Sequence, residues 1–253
     1  MRRTAVALLL LACPALAESL EDAVLAYLAA ADDGVPERWQ VTGNLGAALT
    51  SGNSESLTLA AGAEAKRAFD PWTLGLKFTQ IYTRSEGVES ANESVLTERL
   101  ERALSAKAWL FQELLLEHDE REELTARVQL TFGYKRLLRK TDRFTWHAEG
   151  GAGVLHEEFR VNPETEAILQ IGTDFVWKIS DKLTYTQRFV VYPSLSESGE
   201  FRFLAESMFT TPLGERVDLR LSIIDKFDSN PIAGVEKNDL LVTISLQVRF
   251  TKS

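Results

Sequence analysis

The chain has 253 residues, 45% of them apolar and 26% charged, which fits a single folded domain and excludes a disordered or low-complexity chain. Its 28 basic and 37 acidic side chains give a net charge of −9, a balance against general nucleic-acid binding, because neutralising phosphates needs clustered Lys and Arg. One Cys and 3 His are too few for a zinc-finger type of site, no Gly-rich phosphate loop occurs, and no cofactor is expected.

Met1-Arg2-Arg3 is a short positive head, Thr4 to Ala12 is apolar, and Ala15-Leu16-Ala17 fits a small-x-small cleavage site. This is the layout of a secretory signal peptide over residues 1–17. Cys13, after Leu10-Leu11-Ala12, allows a second reading as the lipid-bearing residue of a lipoprotein. Cleavage after Ala17 removes Arg2, Arg3 and Cys13, moving the net charge from −9 to −11 and leaving no Cys for a disulfide. Residues 18–38 carry Leu20, Val24, Tyr27 and Leu28 at helical spacing, stopped by Asp32-Asp33-Gly34 and Pro36, so a short amphipathic helix and linker are expected there. No later stretch of 18 apolar residues could form a helical span.

From Trp39 the period changes to two. Leu124, Ala126, Val128, Leu130, Phe132 and Tyr134 oppose Thr125, Arg127, Gln129, Thr131 and Lys135. The same scheme recurs over 143–155, 167–179, 217–223 and 240–250. These runs exceed the ~5–6 residues usual in soluble sheets and suit the roughly 9–11 tilted residues that cross an outer membrane. Twelve strands are predicted: 39–50, 56–69, 72–85, 93–105, 108–117, 122–138, 143–156, 166–179, 182–194, 201–211, 217–228 and 239–250. Short connections (Asp70-Pro71, Ala106-Lys107, Ser180-Asp181) alternate with longer ones at 86–92, 157–165, 195–200 and 229–238. Short turns on one rim and loops on the other predict an all-β, up-and-down transmembrane barrel over 39–253. Residues 93–124, rich in Leu, Glu, Ala and Arg, also fit a helix; that reading leaves ten strands.

Polar alternates should face the lumen. On the clearer strands these are Lys66, Lys77, Arg99, Arg127, Lys135, Lys178, Arg188, Arg202, Arg220, Lys226 and Arg249 against Glu64, Glu101, Glu149, Asp174, Glu206 and Asp218. The eleven-to-six excess predicts a net-positive interior and a narrow channel favouring small anionic solutes. The alternative is a lumen filled with paired charges. Trp39, Trp72, Tyr134, Phe144, Trp146, Trp177, Tyr185, Phe209 and Phe250 should lie on the lipid face, several at the membrane interface. His147 and Glu149 share one face, but no nucleophile motif accompanies them, so His147 is read as a lumen residue and no enzymatic activity is expected. His118, Asp119, Glu120, Glu122 and Glu123 read as a solvated acidic loop rather than a metal site.

The segment Asn44-Leu45-Gly46-Ala47-Ala48-Leu49-Thr50-Ser51-Gly52-Asn53-Ser54 carries the most specific signal. With its Leu-Gly pair and its Ser51-Gly52-Asn53 turn it resembles the opening hairpin of the YdiY-like salt-induced outer-membrane proteins of Gram-negative bacteria, over roughly residues 39–250. The resemblance implies an outer-membrane barrel, with membrane lipid and the barrel-assembly machinery as partners; it implies no chemistry. A structural or adhesive barrel acting through loops 86–92, 157–165 and 229–238 is the second reading, and an outer-membrane hydrolase the third.

Overall fold

The computed structural model describes residues 39–50, 56–85, 88–119, 124–159, 163–231 and 235–250. The predicted signal peptide, leader helix and Ser51-Gly52-Asn53 turn lie outside the described residues. Twelve strands follow in order: β1 (Gln40–Thr50), β2 (Ser56–Phe69), β3 (Trp72–Ser85), β4 (Val88–Ser105), β5 (Ala108–Asp119), β6 (Leu124–Lys140), β7 (Phe144–Phe159), β8 (Pro163–Ser180), β9 (Leu183–Pro193), β10 (Phe201–Pro212), β11 (Val217–Asp228) and β12 (Asn238–Arg249). Each pairs antiparallel with its neighbour in sequence, and β1 pairs with β12 from Thr42↔Arg249 to Ala47↔Ile244, closing the barrel. Closure leaves no unpaired edge, the condition for a sheet to stand in lipid.

The segment 93–124 is the hairpin β4–β5, so the helical alternative fails. Arg99 bonds across the lumen there, and backbone pairing from Glu93↔Asp119 to Ser105↔Ala108 outweighs local helix propensity. The predicted loops at 86–92 and 157–165 are largely strand. β4 begins at Val88, β7 runs to Phe159 and β8 begins at Pro163, because the hairpins continue pairing beyond the alternating core. Extended loops among the described residues are those after β9 and β11.

The outward face is apolar. On β12, Leu240, Val242, Ile244, Leu246 and Val248 are exposed, while the intervening Thr243, Ser245 and Gln247 are buried. Two outer rows of aromatic rings mark opposite ends of the wall. Phe144, Phe175, Tyr185 and Phe209 follow one another with ring centroids 5.7, 5.5 and 4.6 Å apart near the short turns. Phe189, Phe203, Phe227 and Phe201 do so at 5.7, 5.2 and 5.5 Å toward the loops. On β10 the rows are separated by the stretch from Phe203 to Phe209, about 20 Å along the strand at ~3.4 Å per residue. An apolar band between aromatic girdles is the outer surface that hydrocarbon and its two interfaces require. Trp72, Tyr134, Trp146, Trp177 and Phe250 are exposed, as predicted for that face.

Candidate functional site

The inward alternates converge on a network of charge pairs. At its centre Arg99 of β4 donates from Nη1 to Glu113 Oε2 at 2.7 Å, from Nη2 to Glu149 Oε2 at 2.7 Å and from Nε to Glu101 Oε1 at 2.9 Å. Arg188 of β9 reaches the same Glu113, with Nη2 2.9 Å from Oε2, and Gln170 Nε2 donates to Glu149 Oε1 at 3.0 Å. The Arg99 guanidinium also lies 4.1 Å from the centroid of Phe111. Toward the loops, Lys226 of β11 bonds both Glu93 of β4 and Glu117 of β5, the latter at 2.8 Å. Arg127 donates to Glu117 at 2.6 Å and to Glu157 at 2.5 Å, and Arg202 to Glu157 at 3.2 Å.

Three further bonds join the remaining wall. Lys77 meets Glu206 at 2.5 Å, Arg220 meets Glu64 at 3.2 Å and Arg249 meets Asp218 at 3.1 Å. Toward the short turns, Asp174 accepts from His147 at 2.9 Å and from Lys135 at 3.0 Å, and Trp109 stands edge-on to His147 at 5.7 Å.

These bonds shape the wall. β5 and β11 lie on opposite sides of the ring of strands, yet Lys226 joins them. A round barrel of 12 strands, spaced ~4.8 Å apart and tilted about 40°, would be roughly 24 Å across. A Lys and a Glu cannot span that distance end to end, so the section is flattened, with β4–β5 drawn toward β10–β11. The wall must then turn sharply at the two ends of the oval. Glycines lie there. A Cβ at Gly153 on β7 would collide with the carbonyl oxygen of Leu130, and one at Gly46 on β1 would lie 3.0 Å from the Ile244 oxygen. Glycine at a tight barrel corner admits this approach of backbone to backbone.

Leu155, Ile168, Val190 and Tyr192 form a buried cluster on β7–β9. Leu155 and Tyr192 of this cluster also line a cavity of about 1310 Å³, whose wall includes Gln40, Thr42 and Thr73 toward the short turns and Glu197, Asn230 and Glu236 toward the loops.

Of the residues expected from sequence, Lys77, Arg99, Arg127, His147, Glu149, Asp174, Arg188, Arg202, Glu206, Asp218 and Arg220 all stand in this interior set of pairs. Lys178 does not. It is exposed at the short-turn rim, lining a small groove with Lys140, Arg143 and Thr145. The expected net-positive interior is corrected by acids that the alternation count omitted. Glu93, Glu113, Glu117, Glu157 and Glu166 join the same network, making eleven paired acids with Glu64, Glu101, Glu149, Asp174, Glu206 and Asp218. Glu113 and Glu117 were hidden because their face of β5 reads Trp109, Phe111, Glu113, Leu115, Glu117, apolar and charged together. A Glu that registers opposite an Arg of the neighbouring strand, as Glu113 does with Arg99, is the signal that would have found them.

A family model described as "Protein of unknown function, DUF481" matches residues 43–250. No curated protein matches the chain. Among solved structures, the NanC porin is similar at 7% identity and a TM-score of 0.47, with 83% of this chain and 97% of that one covered. The KdgM porin is similar at 6% identity and 0.48, covering 83% and 99%. The translocator domain of the autotransporter NalP from Neisseria meningitidis is similar at 13% identity and 0.43, covering 95% and 97%.

Proposed function

The chain belongs to the DUF481 family, and on that premise we propose that it stands in the outer membrane of a Gram-negative bacterium as a narrow channel for small polar solutes, its bore set by ion-paired side chains. The apolar band between two aromatic rows supports the membrane placement. The observation that carries the channel is the cavity of about 1310 Å³ with lining residues at both rims. Cations and carboxylates alternate along it, so selectivity for either sign of ion is weak. This replaces the anion preference that an unpaired positive lumen would give.

Single-channel recording from the folded protein tests the reading. Small discrete conductances with little selectivity are expected, and sealed bilayers would overturn it. The paired Lys226→Gln and Glu93→Gln replacements remove the cross-lumen bonds of Lys226 and leave Glu117 paired with Arg127; they should raise conductance. A second reading, a structural envelope barrel, is favoured by the ion pairs that cross the lumen, and sealed bilayers are its expected result. The proposal assigns the chain no catalytic step. Induction by salt rests on the resemblance of the first hairpin, and protein abundance after a NaCl step tests it.

A further inference from the structure

The outward face of β4 is more polar than those of β6 and β12. β6 presents Ala126, Val128, Leu130, Phe132 and Tyr134, and β12 presents five aliphatic side chains. Because Arg99 and Glu101 point into the lumen, the alternates Asn92, Ser94, Leu96, Glu98, Leu100 and Arg102 point out. Half of that face is strongly polar. Gln112 of β5 points out by the same argument, since Glu113 faces in, and its Nε2 donates to Glu98 Oε2 at 2.8 Å. Nearer the loops, Gln80 Nε2 donates to Asn92 at 2.9 Å and Ser94 donates to Gln80 at 2.5 Å. Arg102 lies over the Trp72 ring at 5.6 Å, at the level of the short-turn aromatics.

Glu98 lies four residues before Arg102 on β4, inside the apolar band. Its cross-strand partners are Leu76 and Leu114, and Leu96 and Leu100 flank it on its own strand. Gln112 is set between Leu100 and Phe132 in the same way. A carboxyl group on a hydrocarbon-facing wall is costly, and such residues characteristically meet protein rather than lipid. One hydrogen bond leaves further acceptor positions on the carboxyl and a second N–H on the amide. A carboxyl–amide pair is therefore complementary to a copy of itself turned through a two-fold axis, each amide meeting the other's carboxyl. A two-fold contact between identical chains needs a patch of this kind.

We propose that the outer wall of β3–β5, centred on Glu98 and Gln112, is the interface through which two copies of this chain pair side by side in the membrane. The proposal rests on the membrane placement given above. Leu114, directly opposite Glu98, then lies beside its counterpart in the second copy, whereas Leu219 on β11 faces lipid on the far wall. The sequence has Cys13 as its single Cys, ahead of the barrel, so an introduced Cys reports position cleanly once Cys13 is cleaved.

Oxidative cross-linking of the full chain in outer-membrane fractions is the test. Leu114→Cys should form a dimer of twice the protein's mass and Leu219→Cys should not. Adding Glu98→Leu and Gln112→Leu to the Leu114→Cys protein should abolish the dimer, with heat-modifiable gel mobility reporting that the barrel remains folded. A folded, membrane-inserted Leu114→Cys protein that stays monomeric overturns the pairing alone. So does a cross-link to a chain of another mass, or a dimer that survives loss of the polar pair. Absence from the outer-membrane fraction overturns the membrane placement and the pairing together.

Discussion

Arg99 holds more of the lumen together than any single pair suggests. Its side chain is 15% exposed and binds three carboxylates, of which that of Glu113 is 2% exposed. Removing one partner of a buried pair strands the other charge, which costs about 3–5 kcal/mol. Arg99→Leu should therefore lower unfolding stability by that order in urea titrations of the folded barrel. Arg99→Leu with Glu149→Gln should recover much of the loss, because Glu113 keeps Arg188 and Glu101 keeps Lys135 as partners. Gly153 tests the corner. Its absent Cβ makes room for the Leu130 carbonyl, so Gly153→Ala must push two strands apart. Overpacking of this kind costs roughly 1–3 kcal/mol, and tryptophan fluorescence during denaturation would read it. Gly214, in the turn after β10 with open space around its Cβ position, is the control expected to change little.

At the scale of a strand, the two faces should answer oppositely to the same substitution. Leu219 and Leu221 on β11 point outward, whereas Asp218 and Ser222 are buried inside. An Arg near the bilayer midplane on the outer face costs roughly 2–4 kcal/mol. Leu221→Arg should slow or block insertion in a folding assay with lipid vesicles. Thr243→Arg on β12, inside the lumen, should insert and instead change conductance. The hairpin β4–β5 behaves differently from either strand. Its outward polar residues erase the contrast between its faces, which is why residues 93–124 looked helical. Pairing to β3 and β6 fixes the strand state that local propensity left open.

For the whole molecule, the balance of paired charge decides behaviour more than net charge does. The chain carries −9, alternation alone implied a positive lumen, and the folded interior sets eleven acids in ion pairs. Field effects of the separate charges largely cancel within each pair, so a reversal potential near zero is expected in a salt gradient. Strong preference for anions would show that some pairs are open in the membrane. Arg202→Gln should then shift the reversal potential toward cation selectivity, and by less at 1 M salt, where screening acts over about 3 Å.

Strand number, order and facing were legible because period two and turn spacing are local. Thr243, Ser245 and Gln247 inside and Ile244 and Leu246 outside follow from the pleat once any one residue is placed. The twelve predicted spans agree with the twelve strands to within a few residues at most ends. What meets what across the lumen was not legible. Lys226 with Glu117, Arg220 with Glu64 and Lys77 with Glu206 join residues more than a hundred positions apart, and closure of the ring brings them within reach. The flattened section, which glycine corners permit, then decides which of them touch. A pleat dictates the side of the wall a residue occupies; only the closed wall dictates its partner.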